Sequence, residues 1–296
     1  MEEKFSIEMN KYEMLRYYEN KIVEDGIKSC SEFNTIVNLA DYNTKEIKLE
    51  KYKKFIRLAI AIVTTMICVY GIYYLYMNRH VKFQDKNMAY EISRTIGPNV
   101  NPENVKYKDV YAIKELNIGQ LGKYDTLEDI KLCKNLVRIS VNGGGDKWNS
   151  LETNDDVLIV TNKKAETFQK ELADLIPELK KLKRFAYSNY CRNCDISDFS
   201  FLSECRQLEI LRICYSDTTD FSFLKSCKKI VDIDLQESQI KDADNLKSLK
   251  NLETICIYDT PLSKDETEVE SLCKAFPNAK IFISEDKVQN IDIKEE

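Results

Sequence analysis

The sequence predicts an α/β solenoid: short parallel strands stacked on one face, preceded by one transmembrane helix and a short N-terminal helical region. Three observations carry this expectation. Apolar residues recur every 22 positions through much of the C-terminal half. Inside each recurrence the apolar spacing changes from three to two. Nearer the N-terminus, a run of 21 residues carries no charge.

Cys205 serves as a ruler for the repeat. Phe199, Leu202, Cys205, Leu208, Leu211 and Ile213 form one apolar series. Moving on by 22 gives Phe221, Leu224, Cys227, Ile230, Ile233 and Leu235, and again Ala243, Leu246, Leu249, Leu252, Ile255 and Ile257. Leu211 and Ile213 alternate as inward positions of a short strand do. The steps of three before them suit a 3₁₀ return segment. Each unit buries its apolar side only by stacking on its neighbours.

The same anchor slot falls at positions 110, 133, 179, 205, 227, 249 and 273, in steps of 23, 46, 26, 22, 22 and 24. A step of 46 equals two units, so one unit is hidden there. Val157 and Ile159 are the expected strand of that unit, and Ala165 to Leu175 an amphipathic return helix. A helix near Asn87 to Ile96 is the expected cap over the first unit, whose core would otherwise be open.

The stretch LEILRICYSDTTDFSFLKSCKKIVDIDLQESQIKDADNLKSLKNLETICI resembles the 22-residue class of bacterial leucine-rich repeats, the internalin-like type. The segment MAYEISRTIGPNVNPENVKYKDVYAIKELNIG resembles the lead-in to such arrays, and the resemblance spans roughly residues 88 to 284. It implies a leucine-rich repeat array, a recognition or adhesion role and a Gram-positive bacterial source. The chain departs from that pattern in one slot. The resemblance leads one to expect Asn three positions after the last inward strand residue, and Ser216, Ser238 and Thr260 stand there. A hydroxyl offers fewer donors and acceptors than an amide.

From Leu58 to Asn78 the chain is uncharged, long enough at about 1.5 Å per residue to cross a hydrocarbon core of about 30 Å. Its far end carries Tyr70, Tyr73, Tyr74 and Tyr76, as at a membrane interface. More than 50 residues precede it, unlike a cleavable leader. Lys45, Lys48, Lys51, Lys53, Lys54 and Arg57 flank it on one side, against Arg79, Lys82, Lys86 and Arg94 on the other. That asymmetry predicts a single-pass plasma-membrane protein with a cytoplasmic N-terminus and extracellular repeats. The expected organisation is a cytoplasmic helical region or tail at 1–54, with candidate helices at Glu8–Glu24 and Cys30–Leu39. The membrane helix follows at 55–78, a linker and cap at 79–104, the repeats at 105–284 and a disordered tail at 285–296. The net charge of −5 and the lack of a visible basic stripe beyond the membrane flank argue against a nucleic-acid partner.

Ten cysteines occur. Cys133, Cys205 and Cys227 share a slot with Leu249, so they read as small buried apolar groups. Cys191 and Cys194 form CRNC within the excess of the 26-residue step; a surface loop with a local disulfide is the simpler reading, a redox dithiol the alternative. No second CxxC completes a zinc site. His80, the sole histidine, stands at the membrane edge, so Ser-His and Cys-His chemistry has no base. NGGG at Asn142–Gly145 lacks the phosphate-loop pattern and reads as a wide turn. Asp155 and Asp156 read as solvated; Asp217, Asp220, Asp242 and Asp244 recur near the turns, where weak calcium binding is the alternative to solvated turn residues and would need convergent geometry. No catalytic residue, cofactor or metal is implied.

The expected recognition surface is the strand face that alternates with the core positions. Its partner-binding candidates are Arg138, Arg184, Ile210, Arg212, Asp232, Asp234 and Thr254, with Tyr258 and Tyr215 as aromatic anchors near the edge. The expected function is a membrane-anchored leucine-rich repeat protein that binds another protein or macromolecule through this face. The alternatives are a transmembrane signalling or assembly component with a cytoplasmic partner, and a thiol-disulfide enzyme built on CRNC.

Overall fold

A computed structural model describes residues 47–143, 158–284 and 287–289. The expected helices at Glu8–Glu24 and Cys30–Leu39, and the pair Asp155 and Asp156, lie outside them. The chain divides into two units, Met1–Tyr73 and Tyr74–Glu296. Helix α1 runs Ile47–Met77, its last four residues belonging to the second unit. Its portion from Phe55 has the length and mean hydropathy, 2.1, to cross a membrane, and its apolar side chains are exposed on all faces.

The second unit is a solenoid of leucine-rich repeats. After helices α2 (Lys86–Ile96) and α3 (Tyr107–Ala112), strands β1 (Glu115–Asn117) and β2 (Arg138–Val141) form the first rungs. Helix α4 (Asn162–Leu175) precedes β3 (Arg184–Ser188), β4 (Ile210–Cys214), β5 (Asp232–Asp234) and β6 (Thr254–Cys256). Helix α5 (Glu266–Ala275) leads to β7 (Lys280–Ser284) and β8 (Lys287–Gln289). The eight strands form one sheet in sequence order, parallel from β1 to β7, with β8 antiparallel on β7. β8 falls in the segment whose charge predicted a tail.

The register follows the 22-residue ruler. Leu116, Ile139, Phe185, Leu211, Ile233, Ile255 and Ile281 pair rung to rung and are all buried. The step of three becomes 3₁₀ helix at Ser200–Glu204, Ser222–Ser226 and Leu246–Ser248. Cys205, Cys227 and Leu249 end these turns, donating their backbone N–H to the carbonyls of Leu202, Leu224 and Leu246. Cys133, Cys205 and Cys227 are buried among the apolar side chains, as their exchange with Leu249 predicts. Of the recurring aspartates, Asp220 accepts the N–H of a first 3₁₀ residue, Ser222, as Asp198 does from Ser200 one unit earlier. That bond holds the Asp220 carboxyl below its ordinary pKa.

One expectation is overturned. The 46-residue step predicts a hidden strand at Val157 and Ile159, yet β2 pairs directly with β3. Val157 lies outside the described residues, and Ile159 is 73% exposed in irregular chain. An apolar pair with alternating spacing did not suffice, because the neighbouring edges of the sheet were already joined. The return helix forms as its spacing predicts: Ala165, Phe168, Leu172 and Leu175 of α4 are buried.

Helix α2 covers the first rung by burying Met88, Ala89, Ile92 and Ser93. Asp85 caps it, accepting from the N–H groups of Asn87 and Met88, and its other oxygen accepts from Asp125 N–H. Asp129 in turn accepts from Gln84 and Asp85 N–H. Two carboxylates thus fasten the cap to the first repeat through backbone donors, bonds of the charge-assisted kind.

The turns after β3, β4, β5 and β6 each use a left-handed residue. Tyr215, Glu237 and Asp259 recur 22 apart with φ of 57°, 52° and 52°. Arg192, at φ 50°, occupies the same place one unit earlier. The residue that follows it, Asn193, therefore fills the slot held later by Ser216, Ser238 and Thr260. CRNC is a repeat turn, and its asparagine is the one that the resemblance leads one to expect.

Candidate binding face

On the outward strand face the register sets two rows. The first runs Glu115, Arg138, Arg184, Ile210, Asp232, Thr254 and Lys280. The second runs Asn117, Ser140, Ala186, Arg212, Asp234, Cys256 and Phe282. Seven of the eight candidate residues therefore share the face, as alternation along a strand requires.

Arg138, Arg184, Ala186, Ile210 and Arg212 line a shallow depression of about 240 Å³, with Ile139 and Phe185 beneath. Its floor is low because Ala186 is small and buried. Arg138 and Arg184 are direct register neighbours, a repulsive pairing of like charges. Arg138 Nη1 lies 3.6 Å from Glu115 Oε2 on the preceding rung. Two rungs on, Asp232 and Asp234 stand beside Ile210 and Arg212 and turn the face acidic. The face is thus bipolar along the stack, with an apolar side chain, Ile210, at the crossover.

Tyr258 lies off these rows, in the turn after β6, where its carbonyl accepts the N–H of Glu237. Tyr215 does not serve as an exposed anchor. It is buried in its left-handed turn, its hydroxyl accepting from Gln236 Nε2 at 3.1 Å. Arg192 sits over its ring at 5.9 Å and donates to its carbonyl and to Glu237. Tyr190, edge-on to Tyr215 at 5.1 Å and 59% exposed, is the aromatic that presents itself there. It sits in the excess of the 26-residue step, which the repeat ruler leaves without an assigned direction.

Behind the face lies a buried amide network. Asn193 Nδ2 donates to Gln120 Oε1 at 3.1 Å and to the Leu158 carbonyl at 3.2 Å, and its Oδ1 accepts from Asn142 Nδ2 at 3.2 Å. Asn142 Oδ1 accepts the Leu121 N–H, and Asn189 Oδ1 accepts those of Asn193 and Cys194. Asn142 of NGGG thus serves a turn, as expected; Gly144 and Gly145 lie outside the described residues. Later rungs are poorer. Ser216 Oγ donates to the Ile196 carbonyl at 3.1 Å, Thr260 Oγ1 to that of Ile257 at 2.7 Å, and the buried Ser238 Oγ has no partner.

CRNC lacks the chemistry of a reactive dithiol. Cys194 is buried, and burial pushes its thiol up to about 12. The Cys191 thiol is raised as well, again by burial. A reactive cysteine needs the opposite shift. Both thiols are unbonded in this structure.

No protein-family model and no curated protein matches the sequence. Among solved structures, the chain resembles an internalin (inlF) from Listeria monocytogenes at 16% identity and a TM-score of 0.43, over 70% of this chain and 57% of that one. It resembles an internalin C2 from the same species at 19% identity and 0.43, over 67% and 83%. A leucine-rich repeat protein of Leptospira interrogans follows at 16% and 0.40, over 58% and 38%. The chain thus spans little more than half of the first of these. The assignment of the fold rests on the chain's own ladder.

Proposed function

We propose that the chain is a single-pass membrane-anchored recognition protein that binds another protein through the outward strand face of its repeats. The observation that carries this is the arginine-lined depression over Ile139, Phe185 and Ala186, continuous with the acidic rungs at Asp232 and Asp234. It is open and shallow, a shape for a macromolecular surface rather than an enclosed small ligand. Arginines around an apolar floor are the composition of interface centres. No residue there combines a nucleophile with a base, so the reading is binding and not catalysis.

The span Phe55–Met77 supports the anchor by length and composition. The basic flank on its N-terminal side supports a cytoplasmic N-terminus and an outward-facing repeat unit. Two measurements test this. Protease shaving of intact cells, with tags at both ends, should remove the C-terminal tag and spare the N-terminal one; the reverse pattern refutes the topology. Arg184→Glu with Arg212→Glu should weaken capture of an identified partner without lowering the unfolding midpoint. Undiminished capture refutes this face.

A further inference from the structure

A second surface emerges only when the repeat phase is read one residue beyond the anchor. That slot holds Lys134, Lys180, Arg206, Lys228, Lys250 and Lys274 in six successive units, all exposed. The slot after it adds Lys181 and Lys229, with no acid in either column. The expectation that no basic stripe exists beyond the membrane flank is thereby corrected: a net charge of −5 averages over a strongly segregated surface.

The sheet register aligns the first five of these cations, each four residues before its first-row strand residue, while Lys274 stands six before Lys280 in helix α5. At about 4.8 Å per rung the five form a line about 20 Å long. Bonds between units hold it: Lys181 Nζ donates to Asn135 Oδ1, Lys229 Nζ to Gln207 Oε1 and Lys228 Nζ to the Ser248 carbonyl. These three partners are neutral, whereas Lys180 lies 3.9 Å from Glu178 and Lys274 3.3 Å from Glu270, exposed ion pairs that offset part of the charge at those two positions. Acids occur instead in the flanking slots, Glu178 and Glu204 before the columns and Glu209 and Glu253 after them.

We propose that this column is a binding site for a linear phosphate-bearing polymer laid across the rungs. Charge complementarity sets the sign of the ligand and the single file sets its shape. A flat anionic membrane would meet the flanking glutamates as well as the lysines, and the columns offer no apolar wedge for insertion. One aromatic, Tyr111, holds this slot in the first unit, 43% exposed, and none holds it in the six units that follow, so along the basic run itself there is no row of stacking platforms of the kind single-strand nucleic-acid binders use. Recognition then rests on phosphates alone, an electrostatic and salt-sensitive mode.

The test uses the full chain in nonionic detergent and long-chain inorganic polyphosphate as the probe, read by fluorescence anisotropy across a salt series. Lys180→Gln, Arg206→Gln, Lys228→Gln and Lys250→Gln are combined in one variant. Lys108→Gln, Lys163→Gln, Lys170→Gln and Lys241→Gln, exposed and off the columns, form a control of equal charge. Circular dichroism checks that both stay folded. The column variant should bind about tenfold more weakly or worse, with a slope of log affinity against log salt shallower by about 3, while the control keeps both. Equal weakening in the two variants, no binding of the polymer, or much tighter binding of a single-stranded oligonucleotide overturns the proposal. So does capture by phosphatidylglycerol vesicles through the same four cations without polymer binding.

Discussion

The turn slot behind the strands holds Asn193, Ser216, Ser238 and Thr260, and alanine at each position separates hydrogen bonding from mere burial. Ser238 is fully buried and its hydroxyl has no partner, so Ser238→Ala removes a desolvated polar group and should be neutral or stabilising by up to about 1 kcal/mol. Ser216→Ala loses bonds of 3.1 Å to the Ile196 carbonyl and 3.3 Å from Thr218 N–H, about 1 kcal/mol net. Thr260→Ala loses a shorter pair, 2.7 Å to the Ile257 carbonyl and 3.1 Å from Ser263 N–H, along with a buried methyl. Its cost should be about 2 kcal/mol. Asn193→Ala strips three side-chain bonds from a buried network and leaves Asn142 short of an acceptor, for about 3 kcal/mol. The assay is urea unfolding of the full chain in nonionic detergent, followed by circular dichroism, with the midpoints ranked. If Ser238→Ala costs as much as Thr260→Ala, local bonding does not set the energetics of this slot.

Three other outcomes follow from the geometry. A Cβ at Gly122 would lie 2.6 Å from Leu158 Cβ and 2.7 Å from its carbonyl oxygen, so Gly122→Ala should displace the Leu158–Val160 segment and cost about 1–3 kcal/mol, with faster hydrogen exchange at Val160. Asp85→Ala removes both the α2 cap and the acceptor for Asp125 N–H; fraying of α2 at a cost of about 2 kcal/mol should appear as proteolysis near residue 86. With burial holding the Cys194 thiol near 12, its thiolate fraction at pH 8 is about one in ten thousand. A maleimide should therefore label Cys191 and spare Cys194 until urea unfolds the chain, as mass spectrometry of the peptides would show. Rapid native labelling of Cys194 would contradict its burial.

Periodicity carried most of the architecture. Leu211, Ile233 and Ile255 fall on adjacent rungs because burial on one face fixes register once the period is known. Helices α2 and α4 were legible for the same reason, through apolar residues at helical spacing. Val157 and Ile159 misled because a short alternating pair looks alike in a strand and in a connecting segment, and only the partner strands distinguish the two. The outward row followed from alternation alone, but the depression did not: its floor depends on the small size of Ala186 beside three arginines. The status of Asn193 was hidden because the longer turn after β3 shifts it off the ruler. Only the left-handed Arg192, aligned with Tyr215, restores the phase. The lysine column was present in the letters, but total charge is the wrong statistic for a periodic surface.

The reversal of β8 against β7 has a consequence for anyone who would lengthen this protein. A further coil must receive a chain leaving its predecessor in the common direction, and beyond Ser284 the polypeptide doubles back. The outermost backbone groups of β7 are thereby occupied, which also discourages two molecules from zipping end to end. Added modules belong in the interior, at a seam such as the one between β5 and β6, where a duplicated 22-residue cassette would meet matching neighbours on either side.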